Sequence, residues 1–311
     1  MDKRILITGA GGFLGHNLLK QFTRAGGFEV FGAYLTGKPD AEAYGGRQAP
    51  VLFQNDLADF SGTAALLRDI SPDAIIHAAA MTGVEDCERD REKAGTINCL
   101  SAGPFIEYSN KTGAALVFTS TDLVFSGDKG NYTEKDETGP LNHYARTKLA
   151  CEKLISSGCR NHYILRVALL YGRGNGKKGS FLKWMEDTLK SGKKLTLFTD
   201  QYRTPLLADD AAEMILRLIK ILPAKRLFHF GGAQRLSRHQ FGVEFCSVFG
   251  YNTEQLEPRK MEELPGFLPR PRDCSLDISS TVRILGIRPH TCREGLGLLR
   301  FSSRQGENDD R

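Results

Sequence analysis

An apolar run, Ile5-Leu6-Ile7, leads through Thr8 into Gly9-Ala10-Gly11-Gly12-Phe13-Leu14-Gly15, and helical periodicity follows at Leu18, Leu19 and Phe22. A strand that turns this sharply into a helix needs glycine for three separate reasons. Gly9 permits the tight turn, Gly12 lets the backbone approach a bound group, and Gly15 lets helix and strand pack closely. The helix start, with Gly11, Phe13 and Leu14 around it, then offers unpaired N–H groups to an anion, and this geometry suits the pyrophosphate of a dinucleotide. The spacing is Gly-x-x-Gly-x-x-Gly rather than Gly-x-Gly-x-x-Gly.

The strand and helix alternation continues beyond this turn. Short apolar runs at Glu29 to Tyr34, Val51 to Phe53, Ala74 to His77, Ala115 to Thr119 and Tyr163 to Arg166 are separated by helical periods at Ala64 to Ile70, by a long helix near Ala94 to Lys111, and by a breaker-free stretch from Tyr144 to Leu154. Such wiring predicts an α/β fold, a doubly wound parallel sheet of the Rossmann type with helices on both faces. Residues 1–170 are expected to bind the dinucleotide and carry the catalytic residues. From 171 to 301 the pattern loosens into a smaller C-terminal substrate-binding lobe, some of whose segments return to the Rossmann core, with helices at Phe181 to Leu189, Ala211 to Ile221 and Arg238 to Val248. The glycines of Tyr171 to Gly179 read as a mobile loop, either a lid or a linker. Leu264 to Pro271 reads as an extended connector, and polar residues 302–311 as a frayed, disordered tail.

The 42 basic and 37 acidic residues leave a net charge of +5 with no dense basic block, which argues against nucleic acid and suits an anionic small molecule. No apolar run reaches the roughly 18 residues a membrane helix needs, and the first residues lack a signal-peptide pattern, so the cytoplasm is the expected compartment. Seven cysteines, with no Cys-x-x-Cys and no histidine at zinc-ligand spacing, read as reduced structural thiols, and no metal site is expected.

Tyr144 and Lys148 stand four apart in the breaker-free stretch, so on a helix the phenol and the ammonium converge on one pocket. A neighbouring cation favours the phenolate and lowers the phenol from its ordinary value of about 10, easing proton exchange near neutral pH. Tyr34 and Lys38 share the spacing, but Gly37 and Pro39 oppose a helix there. That pair follows the second strand, where a carboxylate normally receives the 2′-hydroxyl of NAD. Thr36 and Lys38 offer a hydroxyl and a cation instead, which suits a 2′-phosphate, so NADP(H) is favoured over NAD(H). Asp56 and Leu57, after the third strand, suit the adenine edge, with Asp56 as a plain helix cap the alternative.

Further blocks are His77-Ala78-Ala79-Ala80-Met81-Thr82-Gly83-Val84-Glu85, Ile97-Asn98, Ser120-Thr121-Asp122-Leu123-Val124-Phe125-Ser126-Gly127, Pro140-x-Asn142-x-Tyr144-x-x-x-Lys148, Asp200-Gln201-x-Arg203-x-Pro205 and Arg270-Pro271. In this order, across most of the chain, they resemble the extended short-chain dehydrogenase/reductases and, within them, the dTDP-4-dehydrorhamnose reductase group. The resemblance implies Tyr144 as proton donor, Lys148 as the residue that lowers its pKa and holds the nicotinamide ribose, and Thr121 in the superfamily's Ser/Thr place. Two hydroxyls aimed at one oxygen are what a carbonyl becoming an alkoxide needs. Ala78, Ala79, Ala80, Thr119 and Val167 are implied to line the cofactor. Thr82, Thr121, Asp122, Arg203 and Arg270 are implied to face the substrate, the arginines suiting a diphosphate.

Related 4,6-dehydratases follow the threonine with an Asp-Glu pair, whereas Asp122-Leu123 lacks the second carboxylate. The implied reaction is therefore reduction of a 4-keto-6-deoxy-sugar nucleotide. Where the reductases commonly carry Arg-Thr-Ser-Trp-Val-Tyr-Gly, this chain reads Arg166-Val167-Ala168-Leu169-Leu170-Tyr171-Gly172, so the indole expected near the sugar is Leu169. Tyr132 to Asp136 and Pro140-Leu141-Asn142 also resemble the regulatory β subunit of methionine adenosyltransferase, an NADP-binding relative. A non-catalytic regulatory subunit and a nucleotide-sugar epimerase thus stand as alternatives, and a homodimer is compatible with each.

Overall fold

The computed structural model describes residues 2–46, 48–174, 181–263 and 269–309, with backbone alone from 302. The apolar runs become β1 (Lys3–Thr8), β2 (Phe28–Tyr34), β3 (Val51–Gln54), β4 (Ala74–His77), β5 (Ala115–Thr121) and β6 (His162–Val167). Between them lie α1 (Phe13–Ala25), α2 (Phe60–Ile70), α3 (Val84–Arg89), α4 (Arg91–Asn98), α5 (Gly103–Thr112) and α6 (His143–Gly158). The second half holds short strands β7 (Leu170–Tyr171), β8 (Leu195–Phe198), β9 (Tyr202–Arg203), β10 (Leu206–Leu207), β11 (Leu227–Phe230), β12 (Leu236–Ser237) and β13 (Leu256–Arg259). Its helices are α7 (Phe181–Lys190), α8 (Ala208–Ile221), α9 (Arg238–Phe249), α10 (Ser279–Leu285) and α11 (Cys292–Asp309).

Seven strands form one parallel sheet in the order β11-β6-β5-β4-β1-β2-β3. β4 and β5 are buried along their whole length, as a sheet covered on both faces requires. The order reverses between β1 and β4, and a crevice opens at the C-terminal ends of these strands, where Thr8 lies opposite His77. On one face, Ile5, Leu18 and Phe22 pack with Ile215 and Leu218 of α8; on the other, Leu6, Leu67, Phe105 and Ile155 form the core. Both α8 and β11 therefore come from the second half of the chain yet belong to the sheet's own core. The smaller lobe closes around Met185, Leu189, Leu197, Phe241, Phe245 and Leu296.

Two expectations differ from the structure. The long helix expected near Ala94 to Lys111 is two helices with a 3-10 turn at Leu100–Ala102 between them. Pro104 cannot donate to residue 100 and sits comfortably only in the first turn, so it starts α5 instead of continuing α4. α11 carries helical backbone as far as Asp309, through most of the segment read as a frayed tail. Leu296 and Leu299 anchor its earlier turns in the lobe core, and extending a nucleated helix adds one hydrogen bond per residue. Residues 175–180 of the expected loop, residues 264–268 of the expected connector and the last two residues lie outside the described residues.

Candidate active site

The glycine turn is tight because it has to be. Gly9 has φ 71°, and a Cβ there would lie 2.8 Å from Ala79 Cα; a Cβ on Gly15 would lie 2.1 Å from the Gly9 carbonyl oxygen. The start of α1 is thus pulled down onto β1, and its cap residue, Gly12, brings no side-chain hydrogen bond to the first turn. N–H groups at such a terminus suit an anion. The turn forms one end of a cavity of about 670 Å³ that continues past the ends of β4, β5 and β6.

Nearly every residue singled out in the sequence lines that cavity. The wall takes in Gly9, Gly11, Gly12, Phe13, Leu14 and Gly15, then Thr36, Asp56 and Leu57, then Ala78, Ala79, Ala80 and Thr82, and finally Thr119, Thr121, Asp122, Tyr144, Lys148, Val167, Arg203 and Arg270. Lys38 is exposed and is not part of the wall. Gly37 takes φ 68°, so the chain turns between Thr36 and Lys38 and forms no helix there. Asp59, not Asp56, caps α2 by accepting from Gly62 N at 2.9 Å; Asp56 accepts from Ala58 N at 2.9 Å.

The Tyr144/Lys148 pair does lie on a helix. Asn142 caps α6 through Ala145 N at 3.0 Å, Tyr144 sits in the first turn, and Lys148 follows one turn later. Lys148 is 1% exposed, with Nζ 4.0 Å from the centre of the Phe118 ring on β5. Glu152, one turn further, receives the Arg166 guanidinium at 2.9 Å and the Ser120 hydroxyl, clamping α6 to β5 and β6. Thr121 ends β5; its hydroxyl donates to Asp122 Oδ1 at 3.2 Å and accepts from Leu123 N at 3.3 Å, and it lines the same cavity as Tyr144. Asn98 went unassigned in the sequence. It accepts from Met81 N at 2.8 Å and donates to Met81 O at 3.0 Å and to Thr147 Oγ1 at 3.1 Å, tying the loop after β4 to α6.

Charge behaves differently here from the expectation. Burial pushes the Tyr144 phenol above its ordinary value, Thr121 pulls the other way, and Asp122 and Cys87 raise it further. Lys148 is not among the groups that move it. Burial also lowers Lys148 itself to about 8, against the pull of Cys151, Glu152 and Cys99. The phenol therefore keeps its proton at neutral pH, the state a proton donor needs, while the lysine keeps its charge at a cost.

At the other end, Asp122 is buried and its carboxyl raised by burial, with Arg203 and Arg238 opposing. Arg203 Nε stands 3.4 Å from Asp122 Oδ2; its other N–H groups donate to the carbonyls of Tyr202 (2.6 Å), Arg272 (3.4 Å) and Pro271 (3.2 Å). This guanidinium is bound up in holding β9 and the segment after Arg270. Arg270 itself pairs with Glu85 at 2.5 Å, joining that segment to α3. Leu169, Gln201 and Arg238 complete this part of the wall. In the sequence Arg238 marks only the start of a helix.

The family model of the RmlD substrate binding domain matches residues 3–300. The chain belongs to that family. A probable low-salt glycan biosynthesis reductase from Haloferax volcanii is 31% identical over 296 residues, covering 94% of this chain and 96% of that protein. Methionine adenosyltransferase 2 subunit beta from Rattus norvegicus is 28% identical over 295 residues, covering 93% and 84%. The crystal structure of dTDP-4-dehydrorhamnose reductase from Bacillus anthracis in complex with NADP superposes with a TM-score of 0.82 at 26% identity, covering 97% of this chain and 100% of that one. RmlD-type relatives thus include both reductases and a subunit of another enzyme.

The buried lysine of this RmlD-type site gives a measurable signature. Between about 8 and its ordinary 10.5, the unfolded chain holds a proton on Lys148 that the folded chain does not, so folding becomes more favourable as pH rises through that window. Urea unfolding should show the wild type gaining about 3 kcal/mol on Lys148→Met across it, at roughly 1.4 kcal/mol per pH unit. Parallel pH profiles would contradict the costly burial.

Proposed function

We propose that the protein is an NADP(H)-dependent reductase of a nucleotide-linked 4-keto-6-deoxy sugar. The reading is carried by a single cavity whose wall holds the glycine turn, Thr121, Tyr144 and Lys148 together. The cradle fits a dinucleotide, because added Cβ atoms at Gly9, Gly11 and Gly15 would strike backbone and because no side chain caps α1. The turn from Gly9 to Gly15 would hold the pyrophosphate, Lys148 the nicotinamide ribose, and Ala78 to Ala80 with Val167 the flanking surface. The nicotinamide, when bound, supplies hydride. Thr121 and Tyr144 donate hydrogen bonds to the substrate carbonyl oxygen, and Tyr144 Oη passes its proton to that oxygen as negative charge develops. A phenol held protonated by burial and a lysine held charged nearby suit that sequence of events. The absence of a carboxylate in Asp122-Leu123 beyond Asp122 leaves elimination without its second acid-base group.

Preference for NADP(H) rests on Thr36 in the wall, with no acid in Tyr34-Leu35-Thr36-Gly37-Lys38. A second reading, a cofactor-binding regulatory subunit, is favoured by the methionine adenosyltransferase relative and by Leu169 in the wall where the resembled reductases carry tryptophan.

Purified protein should oxidise NADPH in the presence of dTDP-4-keto-6-deoxyhexose, and Tyr144→Phe should lower kcat by about 100-fold or more while NADPH affinity stays within about twofold. Full activity in that variant would remove Tyr144 from the chemistry. Tight NADPH binding without turnover across a keto-sugar panel would favour the regulatory reading. Thr36→Glu should weaken NADPH more than NADH in fluorescence titrations, and equal losses would refute the 2′-phosphate pocket.

A further inference from the structure

Arg238 opens α9 behind a capping box, in which Ser237 and Gln240 bond each other's backbone N–H groups, so its Cα is firmly placed. The side chain is held as well. Nε donates to Gln201 Oε1 at 3.0 Å, and the guanidinium lies over the Phe181 ring with its carbon 4.7 Å from the ring centre. Yet Nη1 is buried and has no hydrogen-bond partner among the described residues, although Arg238 lines the cavity. Burial, then Arg203, pushes this guanidinium down to about 9; Asp122 works against that and Arg270 adds to it. A buried cationic N–H without an acceptor costs more than a neutral one, and an arriving anion relieves the cost.

Arg203, the arginine that the sequence pointed to, is in a different state. Its Nη groups already donate to three backbone carbonyls, and Nε forms an ion pair with Asp122 at 3.4 Å. Arg270 is joined to Glu85. Three guanidiniums against the carboxylates of Asp122 and Glu85 leave this part of the wall with a positive surplus, and a guanidinium matches phosphate oxygens in geometry as well as charge.

We infer that Arg238 receives a phosphate oxyanion of the substrate's nucleoside diphosphate through Nη1, while Arg203 acts as a positioning residue for Asp122 and the Pro271–Arg272 backbone. The inference rests on the reading of the cavity as a nucleotide-sugar site, but its test does not need turnover.

Protein saturated with NADPH, so that the dinucleotide crevice is filled, is titrated by calorimetry with dTDP, UDP and GDP and with the corresponding nucleosides. Arg238→Gln should weaken the preferred diphosphate by at least about tenfold and leave its nucleoside within about twofold, with Arg238→Lys in between. Unchanged NADPH affinity and thermal midpoint report that the variants fold. The inference is overturned if the diphosphate loses less than twofold, if nucleoside and diphosphate weaken equally, or if no diphosphate binds the wild type. Failure of the keto-sugar assay alongside Arg238-dependent diphosphate binding would count against the reductase reading and not against this assignment.

Discussion

Glu152 on α6 takes Arg166 from β6 and Ser120 from β5 in surroundings that leave both charged side chains under a tenth exposed, so one carboxylate fixes a helix against two adjacent strands. Such a buried pair gains little over a well-packed apolar substitute, yet removing one partner strands a charge at a cost of about 3–5 kcal/mol. What the pair supplies is position. Lys148 lies one turn before Glu152 and Tyr144 one turn before that, so anchoring the last member sets the height of the other two along β5. Ser120 is also the neighbour of Thr121. The same clamp therefore places both hydroxyls of the Thr121–Tyr144 pair.

The opposite wall is set by an absence of side chains. Gly15 over the Gly9 carbonyl and Gly9 against Ala79 bring α1, β1 and the loop after β4 to distances that a Cβ would forbid. Asn98 then links that loop to α6 through Met81 and Thr147, so the two walls are mechanically one object. Burial acts on this frame in one consistent direction: it keeps the phenol of Tyr144 protonated and makes the charge of Lys148 expensive. A group poised to give a proton and a cation held charged against burial are useful to a ligand and costly without one, the usual trade between stability and function.

Much of this was legible in the chain. Alternating apolar runs and helical periods carry the sheet, because a parallel sheet buried on both faces leaves no polar face to disguise it. The glycine spacing carries the turn, because only glycine fits there. What stayed hidden depends on contacts distant in sequence or on a choice between similar local signals. Pro104 was visible, but the periodicity around it masked the helix break. Asp56 and Asp59 are both plausible caps by type, and only the turn geometry separates them. Arg203 looked free for a phosphate because nothing local shows that Pro271 and Arg272, nearly seventy residues on, would present their carbonyls to it. Arg238 carried no motif at all. Its significance lies in an N–H left without an acceptor, which is a property of the folded cavity alone.

The central claim is that Thr121, Tyr144 and Lys148 assemble around a sugar carbonyl for hydride and proton delivery. A single turnover with NADPH deuterated at the transferring face of C4 and a nucleotide-linked 4-keto-6-deoxy sugar tests it most directly, read by mass spectrometry of the product. The account predicts one deuterium bound to the former carbonyl carbon. Recovery of unlabelled keto sugar beside intact, tightly bound cofactor would contradict it.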